Sequence, residues 1–240
     1  MSYPDHSQQE PLLKLQRICR VFHSGDNAIR ALDDVSLNIW PGEFVAIVGQ
    51  SGSGKSTLLN MLTGVDRPTA GEVIIGGQRL AGKSEDDLAR WRRTEIGIIF
   101  QFFNLVPGLT LGQNVRLPMD LAATLPAADR QARVRLLLDT VGLAERQGWM
   151  PARVSGGDQQ RAAIARANAN DPPIIFGDEA TSRQDPRSAI ACFELFRRWV
   201  AGGKTFVLVT HSRELAMRTG RVIELADGSI VSDRRVKETL

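Results

Sequence analysis

Residues 49–57, which read GQSGSGKST, most constrain what this chain can fold into. They fit the phosphate-binding pattern G-x-x-x-x-G-K-[S/T], in which glycines let backbone N–H groups surround phosphate oxygens. The apolar run 44–48 before them predicts a buried parallel strand, and 56–63 predicts a helix whose positive N-terminus favours an anion. A glycine-rich linker is the alternative, but strand, loop, Lys-Ser pair and helix all agree. The segment therefore predicts a site for a nucleoside triphosphate.

The side chains of this loop have distinct predicted tasks. The ammonium of Lys55 supplies a charge for the outer phosphates, and the hydroxyl of Ser56 is a ligand for Mg²⁺. The residues predicted to contact the nucleotide are Gly49, Ser51, Gly52, Ser53, Gly54, Lys55, Ser56 and Thr57.

Composition narrows the class of protein. A chain of 240 residues with 42% hydrophobic and 24% charged residues is typical of one globular domain with a subdomain. Its net charge of +3 comes from basic residues spread along the chain, which favours a solvated surface over a nucleic-acid site. Cys19 and Cys192 lack metal-ligand spacing and predict free thiols in a reducing compartment. With no secretory pattern and no apolar run of about 18 to 20 residues, we expect a soluble intracellular protein held at any membrane by a partner.

The order of predicted elements favours a parallel-centred α/β fold, because strands and helices alternate along much of the chain. Residues 1–11 predict a disordered lead-in, and 12–240 predict the folded domain. From about 102 to 160 the pattern turns helical, which predicts an inserted helical subdomain. The predicted strands outside the loop region are 13–22, 35–40, 71–80, 96–100, 174–176, 205–209, 221–225 and 229–231. The predicted helices are 56–63, 127–141, 158–169 and 188–201.

Polar residues follow several of these strands. Asp178 and Glu179 end the strand at 174–176; the first acid suits Mg²⁺ held through water, and the second suits polarising the attacking water. His211 follows the strand 205–209, where it could contact the γ-phosphate, and Gln101 could reach Mg²⁺ and the water. Alone, His211 predicts only an ordinary surface or core histidine, and Gln101 predicts nothing. Their value comes from the set.

A second anion site is predicted at Ser155-Gly156-Gly157, a turn that opens a helix and offers N–H groups and a hydroxyl. An ordinary helix N-cap is the alternative if the segment is considered alone. The chain already has a phosphate loop, so a second site without a lysine indicates that it serves another subunit's nucleotide.

These residues in this order resemble the nucleotide-binding subunit of ATP-binding cassette transporters, over about residues 13–231. Segments 98–105 and 165–172, which read IIFQFFNL and ARANANDP, are similar to the group serving lipoprotein release, macrolide export and cell division. The resemblance implies a P-loop NTPase with a parallel-centred sheet, an antiparallel β subdomain and an inserted helical subdomain. It also implies Mg²⁺-dependent ATP hydrolysis, with Glu179, His211 and Gln101 as catalytic residues and Ser56, Gln101 and Asp178 at the metal.

The resemblance also implies partners. Two copies, or this chain and a close relative, would form a head-to-tail dimer with each ATP between one phosphate loop and the other chain's Ser155-Gly156-Gly157. Phe22 falls where the family stacks an aromatic on adenine, although composition equally allows a core residue. An integral membrane permease would hold the chain on the cytoplasmic side of the inner membrane, without direct lipid insertion and without nucleic acid. Its docking candidates, which could instead be buried in the subdomain, are Phe102, Phe103, Leu105 and Val106.

The chain departs from the family pattern near the second anion site, at the acidic strand end and in the following loop. Because the phosphate loop, Gln101, Glu179 and His211 keep the pattern, ATP binding is a firmer expectation than fast hydrolysis or a tight dimer. The alternative is a regulatory subunit that binds ATP, hydrolyses it weakly and gates a membrane complex without moving a substrate. A nucleic-acid repair ATPase is disfavoured, since the sequence has no long coiled coil or zinc module. The departures are Val154, Asp158, Asn168, Gly177, Ala180 and Gln184.

Overall fold

The computed structural model describes residues 9–25, 27–123, 125–181 and 184–236. Most of the lead-in predicted at 1–11 lies outside these ranges. The chain divides into two compact units. The first unit runs up to Ser84 and resumes at Val209, and the second unit is Glu85–Leu208.

The first unit contains an antiparallel sheet, as predicted. Its strand order is β2-β1-β4-β5, with β1 at Leu13–Ser24, β2 at Asn27–Ile39, β4 at Ala70–Ile75 and β5 at Gln78–Arg79. Leu15 lies opposite Leu37 on β2 and Val73 on β4, and all three are buried. β2 is longer than the predicted strand 35–40. Its first residues were not predicted because they are mostly exposed and lack the apolar alternation that marks a strand.

The same unit contains the strand that leads into the phosphate loop. This strand, β3 at Phe44–Val48, pairs in parallel with β9 at Arg221–Ala226, and β10 at Ser229–Arg235 pairs antiparallel with β9. Helix α1 at Lys55–Leu62 follows the loop and buries Leu58 and Leu62. The short helix α7 at Arg213–Ala216 precedes β9.

The second unit has a parallel pair of strands at its centre. β6 at Ile96–Ile99 pairs with β7 at Ile174–Asp178, and β8 at Thr205–Val209 lies on the other side of β7. Helix α2 at Glu85–Glu95 precedes β6, and α6 at Pro186–Ala201 precedes β8. The buried rings of Phe196 and Phe206 stack with centroids 4.4 Å apart.

Helices fill most of the region between β6 and β7. They are α3 at Leu111–Ala122, α4 at Ala127–Thr140 and α5 at Gly156–Ala167, with 3₁₀ turns at Ala144–Arg146 and Pro151–Arg153. Asn114 is fully buried on α3, where its amide bonds Val106 O and Leu109 O and its carbonyl accepts from Val106 N. The predicted helical insertion is therefore present, while its limits at 102 and 160 stay a prediction. Within the described ranges, no helix combines the length and hydropathy that crossing a membrane requires.

Candidate nucleotide-binding site

The phosphate loop has glycines where the fold leaves no room for a side chain. A Cβ on Gly54 would lie 2.5 Å from Ala31 O, and Gly54 has φ +101°, which L residues rarely adopt. A Cβ on Gly49 would overlap the backbone oxygen of Leu225, and it would also lie 2.6 Å from Ser53 Oγ. The glycine requirement at both positions is thus set by neighbouring atoms of the first unit.

Lys55 is seated on this loop. Its side chain is buried, and its Nζ donates to Gly49 O at 2.9 Å and to Gln50 O at 2.7 Å. Ser53 Oγ is 3.5 Å from the same ammonium. The charge expected to reach the outer phosphates is therefore held against the loop backbone.

The turn between β9 and β10 supports the phosphate loop through a backbone hydrogen bond. Gly228 N donates to Ser53 O at 3.1 Å, and Asp33 N donates to Gly228 O at 2.9 Å. Ser229 Oγ donates to Asp33 O at 3.1 Å. The Asp-Gly pair at 227–228 predicts a turn, but nothing in the sequence predicts that the turn supports residues almost 180 positions earlier.

Phe22 is on the surface of the first unit. Its side chain is 40% exposed on β1, opposite the exposed Ile29 of β2. The Arg20 guanidinium carbon lies 4.4 Å from the Phe22 ring centroid, and Arg20 also pairs with Asp66 at 2.9 Å. The alternative that Phe22 is a core residue is wrong, and an exposed ring beside a cation suits stacking on a purine.

His211 is fixed in the first unit by its neighbours. Thr210 N donates to Ile47 O at 3.1 Å, which ties this segment to the strand leading into the phosphate loop. Thr210 Oγ1 accepts from Ser212 N at 3.1 Å, and Ser212 Oγ caps α7 by accepting from Leu215 N at 3.2 Å. His211 is exposed between these two bonded residues.

In the second unit, the predicted acids and Gln101 lie at the carboxyl ends of the neighbouring strands β6 and β7. Ile99 of β6 pairs with Gly177 of β7, so Gln101 and Glu179 each lie two residues beyond the same strand pair. Asp178 and Glu179 are half-buried, and Gln101 is exposed. Glu179 has φ +49°, a left-handed conformation that is uncommon for a non-glycine residue and often marks functional sites.

Gly177 is packed more tightly than a flexible strand position would be. A Cβ there would lie 3.0 Å from Ala180 Cβ and 3.3 Å from both Leu208 Cδ1 and Phe206 Cε1. Ala180 is fully buried. Gly177 and Ala180, which both depart from the family pattern, thus pack against each other. A methyl group added at Gly177 would press on the Ala180 side chain.

The Ser-Gly-Gly segment starts α5 in an ordinary way. Ser155 is the N-cap, and its Oγ accepts from Asp158 N at 3.1 Å. A Cβ on Gly156 would lie 3.6 Å from the Phe103 ring, and a Cβ on Gly157 would lie 3.8 Å from Ser155 Oγ. Both are normal contact distances, so packing within the second unit does not require glycine at either position.

The predicted site residues thus fall into two groups, one in each unit. The first unit holds Phe22, the phosphate loop and His211. The second unit holds Gln101, Ser155-Gly156-Gly157, Asp178 and Glu179.

The predicted metal ligands have the chemistry that Mg²⁺ prefers. Ser56, Gln101 and Asp178 all offer oxygen atoms. Among the described residues no group of three or more His, Cys, Asp or Glu could hold a metal by itself.

Comparison with known proteins identifies the family. A family model described as ABC transporter matches residues 32–182, well over half of the chain. The chain therefore belongs to the ABC transporter family, and it is an ABC ATPase cassette with the α/β fold predicted above. Two solved dimeric structures of the ATP-binding cassette MJ0796, one bound to ADP and Pi, are 39% identical in sequence with a TM-score of 0.90. They cover 94% of this chain, which in turn covers 99% of theirs.

Curated relatives place the chain near one group of transporters. It is 44% identical over 223 residues to the macrolide export ATP-binding/permease protein MacB of Brucella melitensis. It is 45% identical over 228 residues to the MacB of Hyphomonas neptunium, and 46% identical over 223 residues to that of an Azoarcus species. These matches cover 93 to 95% of this chain but only 34 to 35% of the relatives. The chain thus spans about a third of the length of the curated relatives it matches.

Proposed function

We propose that this chain binds and hydrolyses ATP to power an ABC-type membrane transport complex. The observation that carries the proposal is the phosphate loop, where Gly49 and Gly54 are sterically required and Lys55 is already seated on the loop backbone. A linker would have no reason for such a structure, whereas a phosphate cradle needs glycine backbone and a fixed cation.

Nucleotide binding would use residues of the first unit. The adenine stacks on the exposed ring of Phe22, and the N–H groups of residues 51–57 surround the phosphates at the positive end of α1. The ammonium of Lys55 exchanges its bonds to Gly49 O and Gln50 O for bonds to phosphate oxygens. Bonds from an ammonium to an anionic phosphate oxygen are stronger than bonds from the same ammonium to a neutral carbonyl, because both partners are then charged.

Hydrolysis would use Glu179, Gln101 and His211. The Glu179 carboxylate accepts a proton from the attacking water, and Gln101 and His211 orient that water and the γ-phosphate. Mg²⁺ held by Ser56, Gln101 and Asp178 would neutralise charge on the phosphate oxygens. The left-handed backbone of Glu179 supports this role because strained backbone is concentrated at functional sites.

Two copies, or this chain and a close relative, would close on two ATP molecules. Ser155, Gly156 and Gly157 of one copy would bind the γ-phosphate held by the phosphate loop of the other. Support comes from the two glycines, which packing within their own unit does not explain, and from the dimers that MJ0796 forms. Bare N–H groups at a helix start let a phosphate approach closely.

An integral membrane permease would be the other partner, on the cytoplasmic side of the inner membrane. The curated relatives are named ATP-binding/permease proteins, and this chain matches about a third of their length. Phe102 is 61% and Val106 is 40% exposed, while Phe103 and Leu105 are half-buried. We propose that Phe102 and Val106 meet the permease, and that neither lipid insertion nor nucleic acid is involved.

The test is the variant Glu179→Gln, which keeps shape but removes the base. We expect it to bind Mg-ATP, to hydrolyse it at least about a hundredfold more slowly, and to shift from monomer to dimer in size-exclusion chromatography with Mg-ATP. Glu194→Gln, the same chemical change on the exposed face of α6, is the matched control and keeps wild-type turnover. Wild-type turnover in Glu179→Gln would refute the role of Glu179.

The regulatory alternative makes a different prediction for wild type. A gating subunit would hydrolyse one bound ATP slowly even in a single turnover, whereas a transport motor would not. The relatives' names as export proteins support the motor. A single-turnover measurement with purified wild-type protein separates the two.

A further inference from the structure

A buried carboxylate, that of Asp158, lies in the first turn of α5, immediately after the Ser-Gly-Gly segment. The side chain of Asp158 is 5% exposed. It accepts hydrogen bonds from Arg146, which ends the 3₁₀ turn Ala144–Arg146, and from Arg161, one turn further along α5. A buried carboxylate is strongly unfavourable unless cations pair with it. With two arginines present, Asp158 does not cancel the positive potential at the start of α5.

Asp158 also orients the serine of the anion site. Its backbone N–H donates to Ser155 Oγ at 3.1 Å, so the acceptor side of that hydroxyl is bonded within the chain. A hydroxyl that accepts one bond still has its O–H as a donor. The position of Asp158 therefore sets the direction in which Ser155 can donate to an anion.

Arg161 connects this turn to the next helix. Its Nη1 lies 3.4 Å from Ser188 Oγ in the first turn of α6. Asp185, the N-cap of α6, accepts from Ser188 N and Arg187 N at 3.1 Å each. A hydrogen bond from the Ser188 side chain lowers the pKa of Asp185 and keeps that cap charged. One guanidinium thus bonds residues at the starts of two helices.

A described residue just before the start of α6 is tied to one that follows Glu179. Ala180 is fully buried, Thr181 is 6% exposed, and Thr181 O accepts from Gln184 N at 3.2 Å. Asp185 follows at once and caps α6. The bond from Gln184 to Thr181 therefore links the residue before the α6 cap to the residue two positions after Glu179.

We propose that Arg161 is a positioning residue that couples the Ser-Gly-Gly anion site to Ala180 and Thr181, which follow Glu179, through Asp158 on one side and Ser188 on the other. The proposal rests on the proposed function, in which the partner copy's nucleotide binds Ser155. When that phosphate draws in the start of α5, Arg161 carries the displacement to Ser188 and Asp185. Each copy thereby adjusts its own Glu179 region in response to the nucleotide held by its partner.

The sharpest test uses Ser188, which belongs to this network but contacts neither Asp158 nor Ser155. Ser188→Ala removes the hydroxyl that Arg161 reaches, while Ser188→Thr keeps a hydroxyl. Arg161→Lys keeps a charge for Asp158 but loses the planar fork needed to bond two partners. The matched control is Arg133→Lys, since Arg133 also joins separate parts of the second unit, by bonding Asn168 O and Asp171.

Two kinds of measurement, of dimerisation and of ATP turnover, are made on each variant, together with the nucleotide affinity of the monomer. The first is the dissociation constant of the Mg-ATP dimer in the Glu179→Gln background. The second is kcat and KM for ATP without that background. We expect Ser188→Ala and Arg161→Lys to weaken the dimer and lower kcat about tenfold, as loss of a hydrogen bond to a charged group allows. KM and the monomer's nucleotide affinity should stay within about twofold, because the phosphate loop is unchanged.

The controls separate positioning from general damage. Ser188→Thr should recover most of the wild-type dimerisation and kcat, and Arg133→Lys should leave both unchanged at a similar melting temperature. If Ser188→Ala and Arg161→Lys behave like Arg133→Lys, the inference is wrong while the proposed function stands. If the Glu179→Gln parent itself stays monomeric with Mg-ATP, the proposed function fails and this inference fails with it.

Discussion

The two helix starts that we propose as anion sites differ in what requires their glycines. At the phosphate loop, glycine is required by the chain itself, since a Cβ on Gly54 would collide with Ala31 O. At the start of α5, alanine would fit at Gly156 and at Gly157 with normal contacts. The loop also contains its own cation, Lys55, bonded to the loop carbonyls, whereas Ser155 caps α5 like many other N-cap serines.

The difference teaches where each site is completed. Contacts within the chain are enough to explain the glycine at position 54. Contacts within the chain would allow alanine at positions 156 and 157, so the glycines there need another explanation. A phosphate bound to a second copy of the chain would provide one. We therefore propose that the phosphate loop is a site within one chain and that Ser155-Gly156-Gly157 is half of a site.

The largest effect is expected from Lys55→Ala, which tests whether the first site is complete in one chain. Removing the ammonium leaves backbone dipoles alone to balance the phosphate charge, so ATP affinity of the monomer should fall about a hundredfold or more. Fluorescent-nucleotide titration measures it, with Lys14→Ala on β1 as the control. An unchanged dissociation constant would remove the phosphate loop from the proposal.

A matched glycine pair tests the comparison itself. Gly54→Ala should destabilise the fold by about 1 to 3 kcal/mol and abolish nucleotide binding, because the new Cβ meets a backbone oxygen at a positive φ. Gly157→Ala should leave both properties of the monomer near wild type and weaken only the Mg-ATP dimer. Urea unfolding, nucleotide titration and size-exclusion chromatography read the three quantities. If Gly157→Ala weakens binding by the monomer, the second site is not shared between copies.

A smaller effect is expected at the end of β7. Gly177→Ala places a methyl 3.0 Å from Ala180 Cβ, so the free energy of unfolding should fall by about 1 kcal/mol. The double variant Gly177→Ala with Ala180→Gly moves the methyl from one side of this contact to the other and should recover most of the loss. Equal urea midpoints for wild type and Gly177→Ala would show that this strand end is looser than the structure indicates.

The smallest effect compares one thiol in each unit. Burial raises the pKa of the Cys192 thiol on α6, whereas Cys19 on β1 is only half-buried. Less thiolate and less access should make alkylation of Cys192 at pH 8 at least about tenfold slower than that of Cys19. Raising the pH should speed the reaction of Cys192 as it approaches the raised pKa. Peptide mass spectrometry gives both rates, and the two should converge in urea.

Local sequence signals predicted the strand and the helix on either side of the phosphate loop better than the contacts that support the loop. The loop, its strand and Lys55 are neighbours in sequence, so their pattern was enough. The brace from Gly228 to Ser53 was not predicted because it joins distant segments through backbone atoms, which have no residue signature. Similarly, α2 was not predicted because only Leu88 and Trp91 are buried in a mostly charged helix.

At the Ser-Gly-Gly segment, the sequence showed a departure from the family pattern but not the contacts that the departing residue makes. Asp158 could be recognised in the sequence as a shorter acid where the family has Gln or Glu. Its pairing with Arg146, from a turn that no periodicity marks, required the structure. The exposure of Phe22 also could not be decided beforehand, since strand residues of either face have the same local pattern.

The bonds between Lys55 and the loop carbonyls bear on how quickly such a chain could exchange its nucleotide. A loop that relied on phosphate for its shape would collapse each time a product left and would have to be rebuilt by the next substrate. Here Gly49 O and Gln50 O accept hydrogen bonds from the ammonium, so bonds within the chain hold the loop together. A loop shaped by its own chain would need less reorganisation in each cycle of nucleotide binding and product release than a loop shaped by its ligand.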